Sequence, residues 1–275
     1  VEQECVKVVA FDIDGTLFRW SFLIEIVERL VKLGKISGNA YASAHALKRE
    51  WRARQVPFSL YVGAIVDILE SKAMIAVSRR DMTTVAREVI DERGQNIYVF
   101  TRELLKVVGD YGYKTIAISG SVKEVVNLFA ALWGIHDVLA TELEYNERGL
   151  YTGTVSSTPV HAKDRALTTY LQNSVVPTEL LIAVGDTSSD FPMLRMAKYP
   201  IAFNPEEALK AQARREGIVC VTERKDTITA LSTFKEDPAL PDHRLFFERS
   251  LVDVLPPLIG AELRARLFAI GYTHP

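Results

Sequence analysis

Two carboxylates stand two positions apart in Phe11-Asp12-Ile13-Asp14-Gly15-Thr16-Leu17, where an apolar run gives way to an Asp-Gly turn. Acids at the end of a buried strand lie where α/β sheets bind ligands, in the crevice beyond the carboxyl ends of the strands. An Asp-Gly turn can also spend its carboxylates on local backbone, so the motif alone leaves both readings open. A calcium loop is a poorer fit. Setting Gly15 at the glycine of an EF-hand loop makes Ala10 the first ligand, and alanine has no side-chain oxygen.

A second acidic constellation, Val184-Gly185-Asp186-Thr187-Ser188-Ser189-Asp190, again follows an apolar run directly. Four carboxylates (Asp12, Asp14, Asp186 and Asp190) sharing one crevice repel one another unless a cation sits among them, and hard oxygen donors point to Mg²⁺ rather than zinc. Asp190 alone is equally well explained as the cap of a following helix. A third segment, Ile116-Ala117-Ile118-Ser119-Gly120-Ser121, closes a strand and opens a helix over 122–133, and free N–H groups at a helix start bind phosphate. Ser121 as an ordinary N-cap would account for one of these residues, not for the Ser119-Gly120 pair before it. Lys163 opens a helix over 163–172; by itself it is an ordinary surface lysine, and it gains meaning only beside the other three segments.

The elements that must position these side chains are short apolar runs at 6–11, 114–119, 180–184, 200–203 and 218–221, with helical patterns between them. Runs such as Leu180-Leu181-Ile182-Ala183-Val184 are apolar without alternation, as strands covered by helices on both faces should be. The fold class is therefore α/β, a Rossmann-like doubly wound parallel sheet. Between 21 and 93 the rhythm breaks: 21–33, 39–54, 58–70 and 82–93 read as helices with no strand between, an inserted all-helical cap whose crossings act as hinges. A hairpin at the sheet edge is expected over 138–143 and 150–155, turned by Tyr145-Asn146-Glu147-Arg148-Gly149. The expected division is a catalytic core at 1–20 and 94–225, a cap at 21–93 and a C-terminal helical extension at 226–275.

Composition narrows the function. The 275 residues carry 33 Lys plus Arg against 35 Asp plus Glu, a formal charge of −2, with 48% hydrophobic and 25% charged residues. That balance gives no general field for nucleic acid or anionic lipid. The longest charge-free apolar stretch, 125–135, is far short of the roughly 20 residues that span a bilayer, and Val1-Glu2-Gln3-Glu4 lacks a basic leader start, so a cytoplasmic location is expected. Cys5 and Cys220 form no metal or disulfide pattern and are expected as buried thiols. No nucleotide-binding glycine motif, zinc helix or serine-hydrolase elbow occurs. His161 is expected to be structural or at the substrate rim, and Trp20, Trp51 and Trp133 to pack, with Trp20 at the hinge near substrate.

The order D-x-D-G-T, Ser, Lys, G-D-x-x-x-D, over about residues 6 to 221, resembles the haloacid dehalogenase superfamily of phosphohydrolases. The helical insert, Ser119-Gly120 and Phe191-Pro192-Met193-Leu194 look like its phosphoserine-phosphatase-like branch. The resemblance implies Mg²⁺-dependent hydrolysis of a small phosphate monoester. It makes Asp12 the nucleophile forming an aspartyl-phosphate and Asp14 the acid, then base. Ser119 and Lys163 hold the phosphoryl oxygens with the Gly120 and Ser121 backbone. The metal takes the Asp12 and Asp186 side chains and the Asp14 carbonyl, with Asp190 behind them or as a further ligand. A phosphotransferase on the same intermediate, or a silent phosphate- or partner-binding protein, is the alternative.

Three positions depart from the branch: Ser21 stands where a substrate-reading glutamate is usual, Thr187-Ser188-Ser189 replaces the usual G-x-N, and Gly120-Ser121 replaces paired glycines. Free phosphoserine is for that reason a less expected substrate than other small esters. Glu25, Arg52 and Arg54 are the residues that could still read an amino-acid head, or simply form a solvated cap surface.

Overall fold

A computed structural model describes residues 5–75, 77–160, 162–234 and 245–272, with side chains left aside at 232–234 and 245–248. Among these residues the chain builds one nine-stranded sheet. Its strands are β1 (Val6–Asp12), β2 (Lys114–Val122), β3 (Asp137–Tyr145), β4 (Tyr151–Ser157), β5 (Thr178–Gly185), β6 (Tyr199–Phe203), β7 (Val219–Arg224), β8 (Thr227–Phe234) and β9 (Leu245–Glu248), in the order β4-β3-β2-β1-β5-β6-β7-β8-β9. The six strands from β3 to β7 in that order run parallel. The chain leaves β1 to build outward through β2 and β3, then returns to β5 on the other side. The order therefore reverses beside β1, which makes the crevice at the end of β1 the place where a ligand fits.

Successive residues of β1 point into two separate cores. Val9 and Phe11 pack with α5 (Val99–Asp110), α6 (Lys123–Trp133) and α11 (Pro257–Ala269), while Val8 and Ala10 pack with α7 (Lys163–Gln172), α8 (Phe191–Leu194) and α9 (Glu207–Glu216). All four β1 residues are fully buried. Helices cover both faces, so no alternation with polar residues is needed, and the doubly wound sheet expected from the apolar runs is what forms.

Between β1 and α5 lie α1 (Phe22–Lys32), α2 (Gly38–Arg52), α3 (Phe58–Leu69), a 3₁₀ turn (Lys72–Met74) and α4 (Arg79–Arg93). Serines start most of them: the side chains of Ser21, Ser37, Ser71 and Ser78 each accept a backbone N–H of the turn they precede. Ser78 and Asp81 form a reciprocal capping box, and for that reason the helix expected at 82–93 begins three residues earlier.

The two crossings, expected as hinges, are joined by backbone hydrogen bonds and stacked rings. Arg19 N–H donates to Asn96 O (2.8 Å) and Tyr98 N–H to Leu17 O (3.0 Å), tying the crossings to each other. Phe18 stacks on Phe22 at 3.8 Å, and both rings meet Phe129 of α6 edge-on. α4 packs on α6, and its start is bonded to the β3–β4 hairpin through Arg79 N–H to Gly149 O (2.7 Å) and Tyr151 N–H to Val77 O (3.0 Å). Within the insert, α1 and α4 are thus the helices anchored on the core. α3 packs on α1 and α2 on α3, Tyr41 and Lys48 of α2 reaching Glu28 of α1, and α2 buries only Ala44 completely.

The hairpin is at the edge as expected: β4 pairs antiparallel with β3, and Asn146 Oδ1 accepts N–H groups of Arg148 and Leu150 across the turn. The C-terminal extension is not purely helical. Residues past 226 first form β8, antiparallel on β7, then β9 on β8, before α10 (Leu251–Val254) and α11. Thr227 to Ala230 alternate toward the core through Ile228 and Ala230, a period-two signal too short to be seen among turn residues. Cys220 is buried as expected, whereas Cys5 is only half-buried because it precedes β1; both thiols are free.

Few buried apolar side chains and no backbone ties to the core define a segment that opens cheaply. Amide hydrogen exchange is expected to be faster across α2, which buries only Ala44, than across α1 and α4. Equal protection in all three helices would show that the insert moves, or holds, as one piece.

Candidate active site

Asp12 closes β1, one register step beyond the pairing of Phe11 with Val184 of β5, and is 4% exposed. Lys163, the first residue of α7, is equally buried, so it is no surface lysine. Its Nζ donates to Asp12 Oδ1 (2.5 Å) and also to Asp190 Oδ1. Burial pulls the lysine's pKa down, but the two carboxylates more than reverse that and raise it.

Asp190 is wholly buried and uses its other oxygen to tie down the loop after β5. Oδ2 accepts N–H groups of Asp186 (3.1 Å) and Thr187 (2.9 Å) and the Thr187 hydroxyl (3.0 Å). Its side chain does not cap the helix that follows, as one reading had it; it closes a capping box with Thr187 on the preceding turn and is the partner of Lys163. Gly185 makes this approach possible, since a Cβ there would lie 2.4 Å from the Asp190 Cβ. Asp186 points the other way, toward the first motif, where Thr16 Oγ1 donates to its Oδ1 (3.3 Å). Gly15 is the matching concession: its φ is +89°, and a Cβ would lie 2.1 Å from Asp186 Oδ2.

Three carboxylates, Asp12, Asp186 and Asp190, offer oxygens that all lie within 4.8 Å of one another. Burial, then the neighbouring acids, push Asp186 well above the usual carboxylate range. Burial pushes Asp12 up to about 7, against the opposing pull of Lys163. Asp12 Oδ2 has no hydrogen-bond partner among the described residues although it is buried. An orphaned acid oxygen facing a second crowded carboxylate suits a divalent cation held by hard oxygen donors.

Asp14 faces away from this cluster. Its Oδ1 accepts the Phe22 N–H at the start of α1 (2.5 Å), and its Oδ2 accepts the Ser119 (2.9 Å) and Ser121 (2.8 Å) hydroxyls. Burial raises its pKa, with these three donors opposing. The β2–β3 ladder skips Gly120 and Ser121, pairing Ser119 with Ala140 and Val122 with Thr141, so this stretch bulges toward the motif. Gly120 sits so close to Val160 that a Cβ would come to 2.7 Å. Ser121 is not the cap of α6: Val122 holds that position, and the Ser121 N–H donates to Ser119 Oγ (2.9 Å).

Ser21, which stands where a substrate-reading glutamate is usual, is the buried N-cap of α1. Glu25 is half-buried one turn on, and Arg52 and Arg54 are exposed. The two arginines line a cavity of about 680 Å³ with Trp51 and Phe58, whose rings lie 5.5 Å from that of Trp20. His161 lies outside the described residues. Two contributors had no role assigned from sequence: Thr16, legible only as part of D-x-D-G-T, and the Ser121 hydroxyl, for which no linear signal exists.

The family of haloacid dehalogenase-like hydrolases matches residues 9–195, and the chain belongs to it. Within that family it is a phosphatase of the phosphoserine-phosphatase-like branch. A phosphoserine phosphatase of Idiomarina loihiensis is 27% identical over 207 residues, covering 74% of this chain and 85% of the relative. A histidinol-phosphatase of Neisseria meningitidis serogroup C is 30% identical over 112 residues, 38% of this chain and 50% of that protein. Among solved structures, a Bordetella pertussis protein of unknown function shares the fold with a TM-score of 0.63 at 19% identity, covering 79% of this chain and 98% of that one. A substrate-bound phosphoserine phosphatase complex shares it at 0.52 and 20% identity, covering 79% and 93%.

The raised Asp12 carboxyl fixes the sign of a pH effect. Its folded pKa of about 7 lies above the ordinary 3.8, so the folded state binds the proton more tightly. Metal-free protein is expected to lose thermal stability as pH rises from about 4 to about 7, and millimolar divalent cation to restore it at the upper end. A melting temperature that is flat or rising across that window without metal would count against the crowded-acid description. Gly15→Ala is expected to cost about 1–3 kcal/mol in urea unfolding, from its positive φ and the contact with Asp186, and to weaken the metal response.

Proposed function

We propose that this protein is a Mg²⁺-dependent phosphatase of small phosphate monoesters in which Asp12 is the nucleophile. The observation that carries this is the Asp12 carboxylate itself: one oxygen is held by a charged, buried Lys163 and the other is buried without a partner among the described residues. A carboxylate so placed is oriented without being used up.

The side chains of Asp12 and Asp186 and the backbone carbonyl of Asp14 would hold Mg²⁺, with Asp190 behind them. When bound, the cation offsets repulsion between these acids and an incoming phosphate. Asp12 attacks phosphorus, the ester P–O bond breaks, and Asp14 gives its proton to the leaving oxygen. Water then attacks the aspartyl-phosphate, Asp14 takes a proton from it, and Asp12 and inorganic phosphate are regenerated. Lys163 keeps its charge throughout and with the Ser119 hydroxyl and the Gly120–Ser121 bulge cradles the equatorial oxygens. Ser119 must for this exchange Asp14 for a phosphoryl oxygen.

The unit spanning residues 21–93 is the cap, and its α2–α3 tip is the part that covers the leaving group. The curated relatives are named for phosphoserine and histidinol phosphate, which supports a small organic ester. Ser21 is spent on capping α1, which supports an ester other than phosphoserine. Among the described residues no helix is long and apolar enough to cross a membrane, and the free thiols of Cys5 and Cys220 fit a cytoplasmic location.

Incubation with p-nitrophenyl phosphate and a panel of small esters, with and without Mg²⁺, tests this. Metal-dependent phosphate release should fall at least about 10³-fold in Asp12→Asn. No release above that variant from any ester would favour a silent binding protein, and transfer to added alcohols in place of water would favour a phosphotransferase.

A further inference from the structure

Ser121 is where this chain departs from the branch's paired glycines, and its hydroxyl is aimed at Asp14. The residue is 1% exposed, and its Oγ lies 2.8 Å from Asp14 Oδ2. The same oxygen also receives the Ser119 hydroxyl at 2.9 Å. Two hydroxyls on one carboxylate oxygen are redundant in the ligand-free site. They stop being redundant once Ser119 is drawn to a phosphoryl oxygen, because Asp14 then keeps only the Phe22 N–H and Ser121.

We infer that Ser121 is a positioning residue that holds Asp14 in place while Ser119 turns to the phosphoryl group. The inference rests on the proposed phosphatase reaction. A hydroxyl suits the task better than a second backbone N–H, since it can donate to a carboxylate and accept from a carboxylic acid, whereas N–H only donates. It therefore remains a partner before and after Asp14 gives up its proton. The bulge that frees Ser121 from the β2–β3 ladder is what lets the side chain reach back, and the Ser121 N–H on Ser119 Oγ sets both hydroxyls in one unit.

The consequence is a dependence on the leaving group. Expulsion of p-nitrophenolate needs little protonation, and expulsion of an alkoxide needs a well-placed acid. In Ser121→Ala and Ser121→Gly, kcat/KM for the best alkyl monoester should fall about tenfold more than kcat/KM for p-nitrophenyl phosphate, in line with one lost hydrogen bond to a charged group. Ser121→Thr, which keeps the hydroxyl, should stay near the wild-type ratio. In an Asp14→Asn background the Ser121→Ala effect on the ratio should vanish, because a residue acting through Asp14 has nothing left to position.

Equal losses for both esters, or a ratio that still shifts in Asp14→Asn, would overturn the inference. Should Ser121→Ala fail to fold, as read by its melting curve, the Gly variant carries the same comparison. Wild-type enzyme that hydrolyses no alkyl ester would remove the proposed role of Asp14, and so the phosphatase mechanism itself, whereas an unshifted ratio in an active enzyme removes only Ser121.

Discussion

The Lys163 ammonium, shared by Asp12 and Asp190 in a buried cluster, is the interaction on which the site is built. Removing one partner from a buried charged set leaves the rest uncompensated, a cost of about 3–5 kcal/mol. The lysine therefore has to arrive with its two acids, and each arrives on a different element: the end of β1, the start of α7 and the turn after β5. Their meeting fixes the height at which α7 begins and the path of the 185–190 loop. It also holds the Asp12 carboxylate in one orientation without consuming its second oxygen.

Two glycines make room for that arrangement. At Gly15 and Gly185 the backbones of the two acidic loops come so close to a neighbouring acid that a methyl group would collide. Crowding is the means by which the site acquires its chemistry: solvent is excluded, the carboxylates are pressed together, and the only comfortable occupant is positively charged. On the other side of the motif, Asp14 is engaged by the first N–H of α1. The acid of the proposed reaction is thereby coupled to the first helix of the insert, and a shift of α1 would be felt at Asp14 without any intermediary.

The sheet was legible because covered parallel strands leave apolar runs that nothing else explains, and the acids at their ends were legible because strand ends in such sheets converge. Lys163 could be noticed only by its rank in the series of motifs; that it is buried follows from Asp12 and Asp190, which are distant in sequence. The direction of the Ser121 side chain was not legible at all, since it depends on a bulge that shifts the ladder by residues no local pattern marks. The firmness of the crossings was hidden for a similar reason. Phe18 precedes the helix read over 21–33 and Phe22 lies at its start, and Phe129, more than a hundred positions on, turns them into an anchor. The start of α4 was missed because a capping box outweighed the absence of apolar residues in its first turn.

The strands after residue 226 bear on how the protein can be handled. β7 is the last of the parallel strands, and β8 covers its open side along Cys220 to Arg224. A chain trimmed to the region that resembles the family, ending near residue 221, would present β7 as a bare rim of unsatisfied N–H and C=O groups, a template for sticking to other copies. It would also uncover the face of α5 on which α11 lies. The tail is thus an edge guard: minimal fragments of this protein that lack it would be self-associating material.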